Sequence, residues 1–288
     1  MAEGSARSGS VREFDANWCD RKEAQYNHWT RGRPRNQIQL AFRRHWLLFQ
    51  SIMRSRGYRS CLEVGCGRGS ISSYFADSGM DCTLLDASES VLDTARGIFT
   101  RNGHRASFVH GNALALPFED DSFDVVVSIG LLEHFEDVRG PIHEQHRTLK
   151  PGGLFLGYIV PERPDNVQKY FHWVNSILVT IAGLRKEKVA ETAHKADIYR
   201  SNYNSERYLS VFNALPIRDL LVSGVYPLPM ISHSPAFPFT LLPSPAELLL
   251  TRLFEAALWL RGRFGPNDPW LCDETFGQAF LVSWTKER

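Results

Sequence analysis

Hydrophobic and polar positions follow two rhythms along the chain. Between residues 36 and 54 the apolar residues recur at helical spacing, which predicts an amphipathic helix with Asn36 as its N-cap. From residue 60 onward, short apolar runs of strand length alternate with helical stretches. The predicted strands are 60–64, 82–85, 106–110, 123–128 and 154–159, and the predicted helices are 70–78, 88–100 and 138–149.

This regular alternation predicts an α/β fold in which a parallel sheet is covered by helices on both faces. After residue 160 the alternation ends, and the pattern predicts helices at 167–183, 205–214 and 246–260 and strands at 217–226 and 278–284. We expect a disordered tail and an N-terminal helical cap over 1–55, a core over 56–160, a helical substrate cap over 161–204, and the end of the sheet over 205–288. The last region holds an inserted loop and an amphipathic helix at 227–276, and we expect that helix to pack on the core.

Charge and composition narrow the partners. The formal net charge is +1, which argues against nucleic acid as a binding partner. Residues 1–60, however, hold twelve Lys and Arg against five Asp and Glu. That local excess either faces an anionic group or is a solvated surface. Five cysteines without a C-x-x-C pair favour a reduced, cytoplasmic setting. No run of about 20 apolar residues predicts a transmembrane helix. Peripheral membrane contact through the helix at 246–260 and a homodimer both stay open.

A glycine-rich segment carries the strongest chemical signal. Leu-Glu-Val-Gly-Cys-Gly-Arg-Gly-Ser, residues 62–70, follows a predicted strand and precedes a predicted helix. Glycines at 65, 67 and 69 let the chain turn sharply and approach a ligand, although a tight structural turn is the alternative. The spacing is G-x-G-x-G instead of the dinucleotide pattern G-x-G-x-x-G. Glu63 would repel a pyrophosphate and suits a positively charged ligand, which argues against a nicotinamide-dependent oxidoreductase.

Further polar positions follow the other predicted strands. Asp86 ends the second strand at the spacing of a carboxylate that binds a ribose, with a helix N-cap as the alternative. Gly111-Asn112-Ala113 follows the third strand, and Ile129 lies at the end of the fourth. Ligands of open parallel sheets bind at these strand ends.

In this order, the segments resemble class I (Rossmann-like) S-adenosylmethionine-dependent methyltransferases, close to the type 11-like small-molecule enzymes. The resemblance implies a doubly wound, mostly parallel sheet with an antiparallel last strand, an N-terminal helical cap and inserted helices late in the chain. It implies S-adenosylmethionine as cofactor, S-adenosylhomocysteine as product, and no metal. The implied cofactor-binding residues are Glu63, Gly65, Cys66, Gly67, Gly69, Asp86, Ala87, Asn112, Ala113 and Ile129.

Two segments qualify this resemblance. The family usually has aspartate at position 112, so Asn112 can accept the adenine amino group only without charge, and a simple turn role is the alternative. Residues 149–153, Leu-Lys-Pro-Gly-Gly, are predicted to be a helix stop and a turn that leads into a strand.

The segments predicted to cover the site indicate which kind of molecule accepts the methyl group. His134 follows the fourth strand and is a candidate catalytic base, with a structural or cofactor-pocket role as the alternative. Residues 128–131 lack the N/D-P-P-Y/F pattern of base N-methylation. Aromatic residues of the caps, among them Tyr26, Trp29, Tyr199 and Tyr203, are candidate contacts for a hydrophobic or aromatic small-molecule acceptor, methylated on oxygen or carbon. They could equally form the cap's own core. The alternatives are a non-catalytic S-adenosylmethionine sensor or scaffold and an RNA methyltransferase.

Overall fold

The computed structural model describes residues 28–53, 56–163, 165–184, 199–231, 242–265 and 267–287. Within these residues the strands are β1 (Ser60–Val64), β2 (Asp81–Asp86), β3 (Ser107–His110), β4 (Phe123–Ile129), β5 (Leu149–Ile159), β6 (Ile217–Val225), β7 (Leu271–Cys272) and β8 (Ala279–Lys286). The α-helices are α1 (Gln37–Met53), α2 (Ser70–Asp77), α3 (Glu89–Asn102), α4 (Arg139–Thr148), α5 (His172–Leu184), α6 (Ser205–Phe212) and α7 (Ser244–Phe264). Short 3-10 turns occupy Leu132–His134 and Val167–Tyr170.

The strands form one mixed sheet in the order β3-β2-β1-β4-β5-β8-β6-β7. The neighbours from β3 to β5 are parallel, whereas β8 runs antiparallel to both β5 and β6. The predicted α/β class, the mostly parallel sheet and the antiparallel last strand are therefore confirmed. The order reverses between β1 and β4, and this is where open α/β sheets bind their ligands.

Both faces of the sheet are covered. One hydrophobic core joins α1, α2 and α3 to the sheet through residues such as Phe49, Phe75 and Phe99. The second core joins α4 and α6 to the other face through Ile142 and Phe212. The sheet is thus doubly wound, as the alternating pattern predicted.

Local signals start and stop the helices where the sequence places them. The side chain of Asn36 accepts a hydrogen bond from the amide of Gln39 at 2.8 Å, so Asn36 caps α1 as predicted. Ser88 caps α3 by accepting from the amide of Val91 at 3.2 Å. These bonds satisfy amides that a helix end leaves unpaired.

Two predicted boundaries are wrong. The residues 149–153 do not form a turn, because β5 begins at Leu149, directly after α4. Leu149 pairs with Phe123, and a register shift between Phe123 and Val125 absorbs the irregular Pro-Gly-Gly segment. The helix predicted at 167–183 is divided into a 3-10 turn and α5. The two-residue strand β7 was not predicted, since so short a strand has no periodic pattern to detect.

The amphipathic helix at 246–260 exists as α7, but most of its apolar surface faces outward. Leu249, Leu253 and Trp259 are 62%, 58% and 65% exposed. Only Glu247, Thr251 and Leu258 are buried among its described side chains. The expected packing of this helix on the core therefore holds only for the narrow side that carries these buried residues. Among the helices of the described residues, none is long and apolar enough to cross a membrane.

Candidate active site

The glycine-rich segment forms the turn between β1 and α2. Its three glycines all have left-handed backbone angles, with φ of 69° at Gly65, 51° at Gly67 and 65° at Gly69. A Cβ atom at Gly65 would lie 2.8 Å from Leu131, and one at Gly69 would lie 2.5 Å from Leu84. A Cβ atom at Gly67 would meet nothing within 4 Å. Two of the glycines therefore permit close packing, while the middle one borders open space.

Asp86 ties the end of β2 to this turn. Its carboxylate accepts hydrogen bonds from the amide of Gly67 at 2.9 Å and from the amide of Ser88 at 3.1 Å. The carbonyl of the same residue accepts from Gly111, which follows β3. The carbonyl of Ala87 lies 3.0 Å from Nε2 of His110. The structure thus brings the predicted residues of three strand ends together, and Ser88, not Asp86, is the residue that caps α3.

Glu63 points from β1 toward α2. Its buried carboxylate accepts hydrogen bonds from both the amide and the hydroxyl of Ser72, the amide at 3.2 Å. Burial raises the pKa of Glu63 to about 8, and the nearby charge of Asp86 adds to the rise. The two hydrogen bonds from Ser72 lower this pKa but do not offset the effect of burial. Cys66 is also buried, and burial raises the pKa of its thiol well above the ordinary value. For both residues, cofactor contact stays a prediction.

The segment after β3 forms a compact turn. The side-chain oxygen of Asn112 accepts a hydrogen bond from the amide of Leu114 at 2.9 Å, and Asn112 also forms an isolated bridge with Ala115. Ala113 is buried in the second core. The alternative turn role of Asn112 is thus present in the structure, and the same oxygen has a second lone pair for an adenine amino group.

His134 lies in the 3-10 turn after β4. Its Nδ1 donates to the carbonyl of Tyr199 at 2.7 Å, which places the acceptor lone pair of the neutral imidazole on Nε2. Burial lowers the pKa of His134 to about 4. The ring is therefore neutral at pH 7 and is a weak base.

Of the predicted acceptor contacts, Tyr199 bonds to His134 through its carbonyl, and Tyr203 contacts Tyr199. Tyr199 and Tyr203 are neighbours, and burial raises the pKa of Tyr199 to about 12, with the hydrogen bond to Tyr203 adding to the rise. Trp29 lies elsewhere: its indole donates to Asp77, the last residue of α2, at 3.0 Å. Tyr26 lies outside the described residues. Acceptor binding by these side chains stays a prediction.

Sequence reasoning missed an aromatic cluster beside the carboxyl end of β5. His45 of α1 contacts Tyr158 of β5 and Trp270, with ring centroids 4.3 and 5.4 Å apart, and Tyr226 stacks on Trp270 at 4.7 Å. The indole of Trp270 donates to Nδ1 of His45 at 2.9 Å. Tyr158 pairs with Ile129, so the cluster borders the end of β4. These residues are far apart in the sequence, and no local pattern marks them.

His28 also lies beside the glycine-rich turn, and no local pattern in the sequence marks it. Its Nδ1 lies 3.1 Å from the hydroxyl of Ser70, the first residue of α2, and its ring stacks on Phe42. Burial and the charge of Arg68 lower the pKa of His28 to about 3. Its Nε2 has no hydrogen-bond partner within the described part of the chain. A buried polar atom of this kind beside the glycine-rich turn is suited to a ligand.

The residues present fit S-adenosylmethionine. The open side of Gly67 leaves room for the amino-acid end of the cofactor, and Asp86 lies where a carboxylate can accept ribose hydroxyls. Asn112 and Ala113 lie beyond Asp86, on the side predicted for adenine. The fold is that of the class I, Rossmann-like methyltransferases, and the turn beside Gly67 leaves room for their cofactor.

Comparisons with known proteins give the same class. The family model "Methyltransferase domain" (Methyltransf_11) matches residues 62–157. A protein of Mycolicibacterium smegmatis named "Probable S-adenosylmethionine-dependent methyltransferase" is 36% identical over 115 residues, which are 40% of this chain and 43% of that protein. A demethylmenaquinone methyltransferase of Staphylococcus aureus is 34% identical over 125 residues, 41% of this chain and 51% of the relative. The matches thus span about half the length of these curated relatives. The matched residues belong to the class I S-adenosylmethionine-dependent methyltransferase family.

Solved structures share the fold over a larger part of the chain. The YcgJ protein of Bacillus subtilis aligns with a TM-score of 0.52 at 20% identity, covering 84% of this chain and 98% of that one. The [4+2]-cyclase SpnF aligns with a TM-score of 0.51 at 17% identity, covering 99% of this chain and 94% of that one. At these identities the likeness shows the fold alone, and SpnF is named for a different reaction.

Proposed function

We propose that this protein transfers a methyl group from S-adenosylmethionine to an oxygen or carbon atom of a small molecule with an apolar or aromatic body. The observation that carries the proposal is the junction of Gly67 and Asp86, where the open glycine turn meets the strand-end carboxylate. When bound, the cofactor supplies a methyl group already activated on a sulfonium. The protein then has to bind the cofactor and the acceptor, orient them toward each other, and exclude water from the site.

An apolar acceptor is supported by the surroundings of the β4 and β5 ends. Tyr158 and Trp270 are buried there and Tyr226 is half-buried, so these rings form an apolar aromatic layer behind the strand ends. His45 among them is neutral because burial lowers its pKa to about 3. The carbonyl of Tyr199 bonds to His134, and the side chains of Tyr199 and Tyr203 form a pair. The name of the demethylmenaquinone methyltransferase among the relatives agrees with an acceptor that has an apolar ring system.

His134 is the candidate proton acceptor of this reaction. Its imidazole is neutral at pH 7 and is oriented through Nδ1 by the carbonyl of Tyr199. A hydroxyl acceptor must lose its proton during transfer, and a neutral ring held in one tautomer can take it. Because the pKa of His134 is low, its contribution would come from its position beside the acceptor hydroxyl more than from its strength as a base.

The proposal is tested first at the cofactor. We expect calorimetric titration of S-adenosylmethionine to show binding to the wild type and roughly ten- to a hundredfold weaker binding to Asp86→Ala, because the ribose loses its acceptor. The matched control is Asp81→Ala, which removes an exposed carboxylate from the opposite end of β2 and should bind as the wild type does. Equal affinity in both variants, or no binding to the wild type, would contradict the proposal.

Turnover separates an enzyme from a sensor. With S-adenosylmethionine bound, we expect formation of S-adenosylhomocysteine in the presence of naphthol- or hydroquinone-type acceptors. Tight cofactor binding without product from a broad panel of hydroxyl-bearing and carbon acceptors would favour the non-catalytic alternative. RNA methylation would instead require acceptor binding that weakens steeply with salt.

A further inference from the structure

One buried carboxylate near the candidate site is not used by the features described so far. Glu133 lies in the 3-10 turn after β4 and is fully buried. Neither of its carboxylate oxygens has a partner within hydrogen-bonding geometry in the part of the chain that the structure describes. A charged group without a partner is costly to bury, and in native proteins such groups commonly meet a ligand.

The turn that carries Glu133 packs against the glycine-rich turn. Leu131 fills the space beside Gly65, so closely that a Cβ atom there would lie 2.8 Å from it. Oε1 of Glu133 turns back toward Gly130, at 3.6 Å from a Cβ atom built on that glycine. Glu133 therefore lies next to the predicted binding place of the cofactor's amino-acid end.

The opposite side of Glu133 faces the end of the substrate cap. Its carbonyl accepts a hydrogen bond from the amide of Ser201 at 2.8 Å, and the adjacent His134 is bonded to Tyr199. The residue thus lies between the cofactor turn and the segment predicted to contact the acceptor. That is where a methyl group would pass from one to the other.

The charges around Glu133 leave it partly uncompensated. Burial raises its pKa to about 7, while the guanidinium of Arg200 and the amides of Glu133 itself and Val160 act in the opposite direction. The other titratable groups that sense its charge are the buried hydroxyls of Tyr158 and Tyr208, whose pKa values are raised mainly by burial. Among the described residues, Arg200 is the cation that acts on Glu133, and Arg200 is itself exposed to solvent.

We propose that Glu133 is the charge partner of the positively charged sulfur of the bound donor and that it discriminates S-adenosylmethionine from the neutral product S-adenosylhomocysteine. This inference rests on the proposed function. An ionised carboxylate beside the sulfonium stabilises the charged donor. After transfer the positive charge is gone, the attraction ends, and the product is held less tightly.

The test compares three ligands by calorimetry: S-adenosylmethionine, S-adenosylhomocysteine and sinefungin, an analogue with an amine in place of the methylated sulfur. In Glu133→Gln at about pH 8, we expect affinity for the two cationic ligands to fall about tenfold or more. Affinity for S-adenosylhomocysteine should stay within about twofold of the wild type. The matched control is Glu136→Gln, the same charge change at an exposed position three residues on, and it should change none of the three.

A second measurement needs no variant. Binding heats in buffers of different ionisation enthalpy near pH 7 give the number of protons released. We expect S-adenosylmethionine to release more protons from the wild type than S-adenosylhomocysteine does, because the sulfonium favours the ionised carboxylate.

The outcomes separate the two proposals. An equal loss of all three affinities in Glu133→Gln, or an unchanged cofactor-to-product ratio, would overturn the role of Glu133 and leave the proposed function standing. Equal proton release by cofactor and product would overturn it as well, even if the variant fails to fold. Failure of the wild type to bind any of the three ligands would overturn both.

Discussion

The glycines of the turn between β1 and α2 have the same backbone conformation and different surroundings. Gly69 packs against Leu84 and Phe99, where an added methyl group would lie 2.5 and 2.7 Å from their side chains. Gly67 has open space instead. The sequence spacing does not distinguish the three glycines, whereas the structure leaves open space beside Gly67 and packs Gly69 into the core.

This difference gives a prediction at the residue scale. We expect Gly67→Ala to lower the free energy of unfolding by about 1–2 kcal/mol, the cost of the left-handed backbone alone. Gly69→Ala should lower it by roughly 1–3 kcal/mol more, because the methyl group overpacks the core. Urea unfolding measures both changes. In the titration with S-adenosylmethionine, Gly67→Ala should lose affinity although it stays folded; equal stability losses in the two variants would show this contrast to be wrong.

At the scale of elements, Glu63 connects β1 to the first turn of α2. It accepts from the amide of Ser72, so it supports the helix that follows the glycine turn. Its direction could not be predicted from sequence, because a residue at that position can face either the ligand or the helix. The family resemblance favoured the ligand, and the structure shows a bond to the helix.

The stability of this connection should depend on pH. Burial raises the pKa of Glu63 from 4.5 to about 8 in the folded protein, so between these values the folded state holds a proton that the unfolded state releases. Stability contributed by this group is therefore present below pH 4.5 and is lost as pH rises to about 8, at about 1.4 kcal/mol per pKa unit. We expect Glu63→Gln to be more stable than the wild type at pH 8 by a few kcal/mol.

The measurement is urea unfolding of Glu63→Gln and the wild type at about pH 5 and pH 8. Glu119→Gln, which changes an exposed glutamate, is the control and should follow the wild type at both values. A stability gain in Glu63→Gln that is the same at both pH values would mean that the gain does not arise from this ionisation.

Across the whole molecule, buried acids and buried histidines shift stability in opposite directions. Burial lowers the pKa of His28 and His45 from 6.5 to about 3. Between these values the two rings bind protons in the unfolded state and stay neutral in the folded state. Stability from these rings is present above pH 6.5 and is lost as pH falls toward 3. Glu63 and Glu133 lose theirs as pH rises toward about 8 and 7.

We therefore expect a broad stability maximum between about pH 4.5 and 6.5, with losses below it and toward pH 8.5. Urea unfolding across this range measures the profile. The double variant Glu63→Gln/Glu133→Gln should flatten the alkaline side and steepen the loss of stability between pH 6.5 and 4.5, where the two glutamates no longer offset the two histidines. A wild-type profile that keeps rising to pH 8.5 would contradict the assignment of these carboxyl groups as buried and protonated in the folded state.

Much of the core could be predicted because its signals are local. The run at 60–64, bounded by polar residues and the glycine turn, matches β1 in full, and the caps at Asn36 and Ser88 lie where short polar side chains meet the first turn of a helix. The structure of the predicted cap regions was harder to predict from the sequence. The helix at 246–260 has an apolar pattern, yet only tertiary contacts determine which of its residues become buried.

By itself the sequence determined the alternating elements, the parallel sheet, the glycine turn and the spacing to Asp86, since each depends on residues close together in the chain. The tertiary structure decided the rest: that Leu149 joins β5, that Glu63 faces Ser72, and that His45 meets Trp270 across 225 positions. It also decided that the buried carboxylate of Glu133 has no hydrogen-bond partner among the described residues. Periodicity records which side of an element is apolar. It does not record which distant element covers that side, and burial, pKa and ligand contact all depend on the covering element.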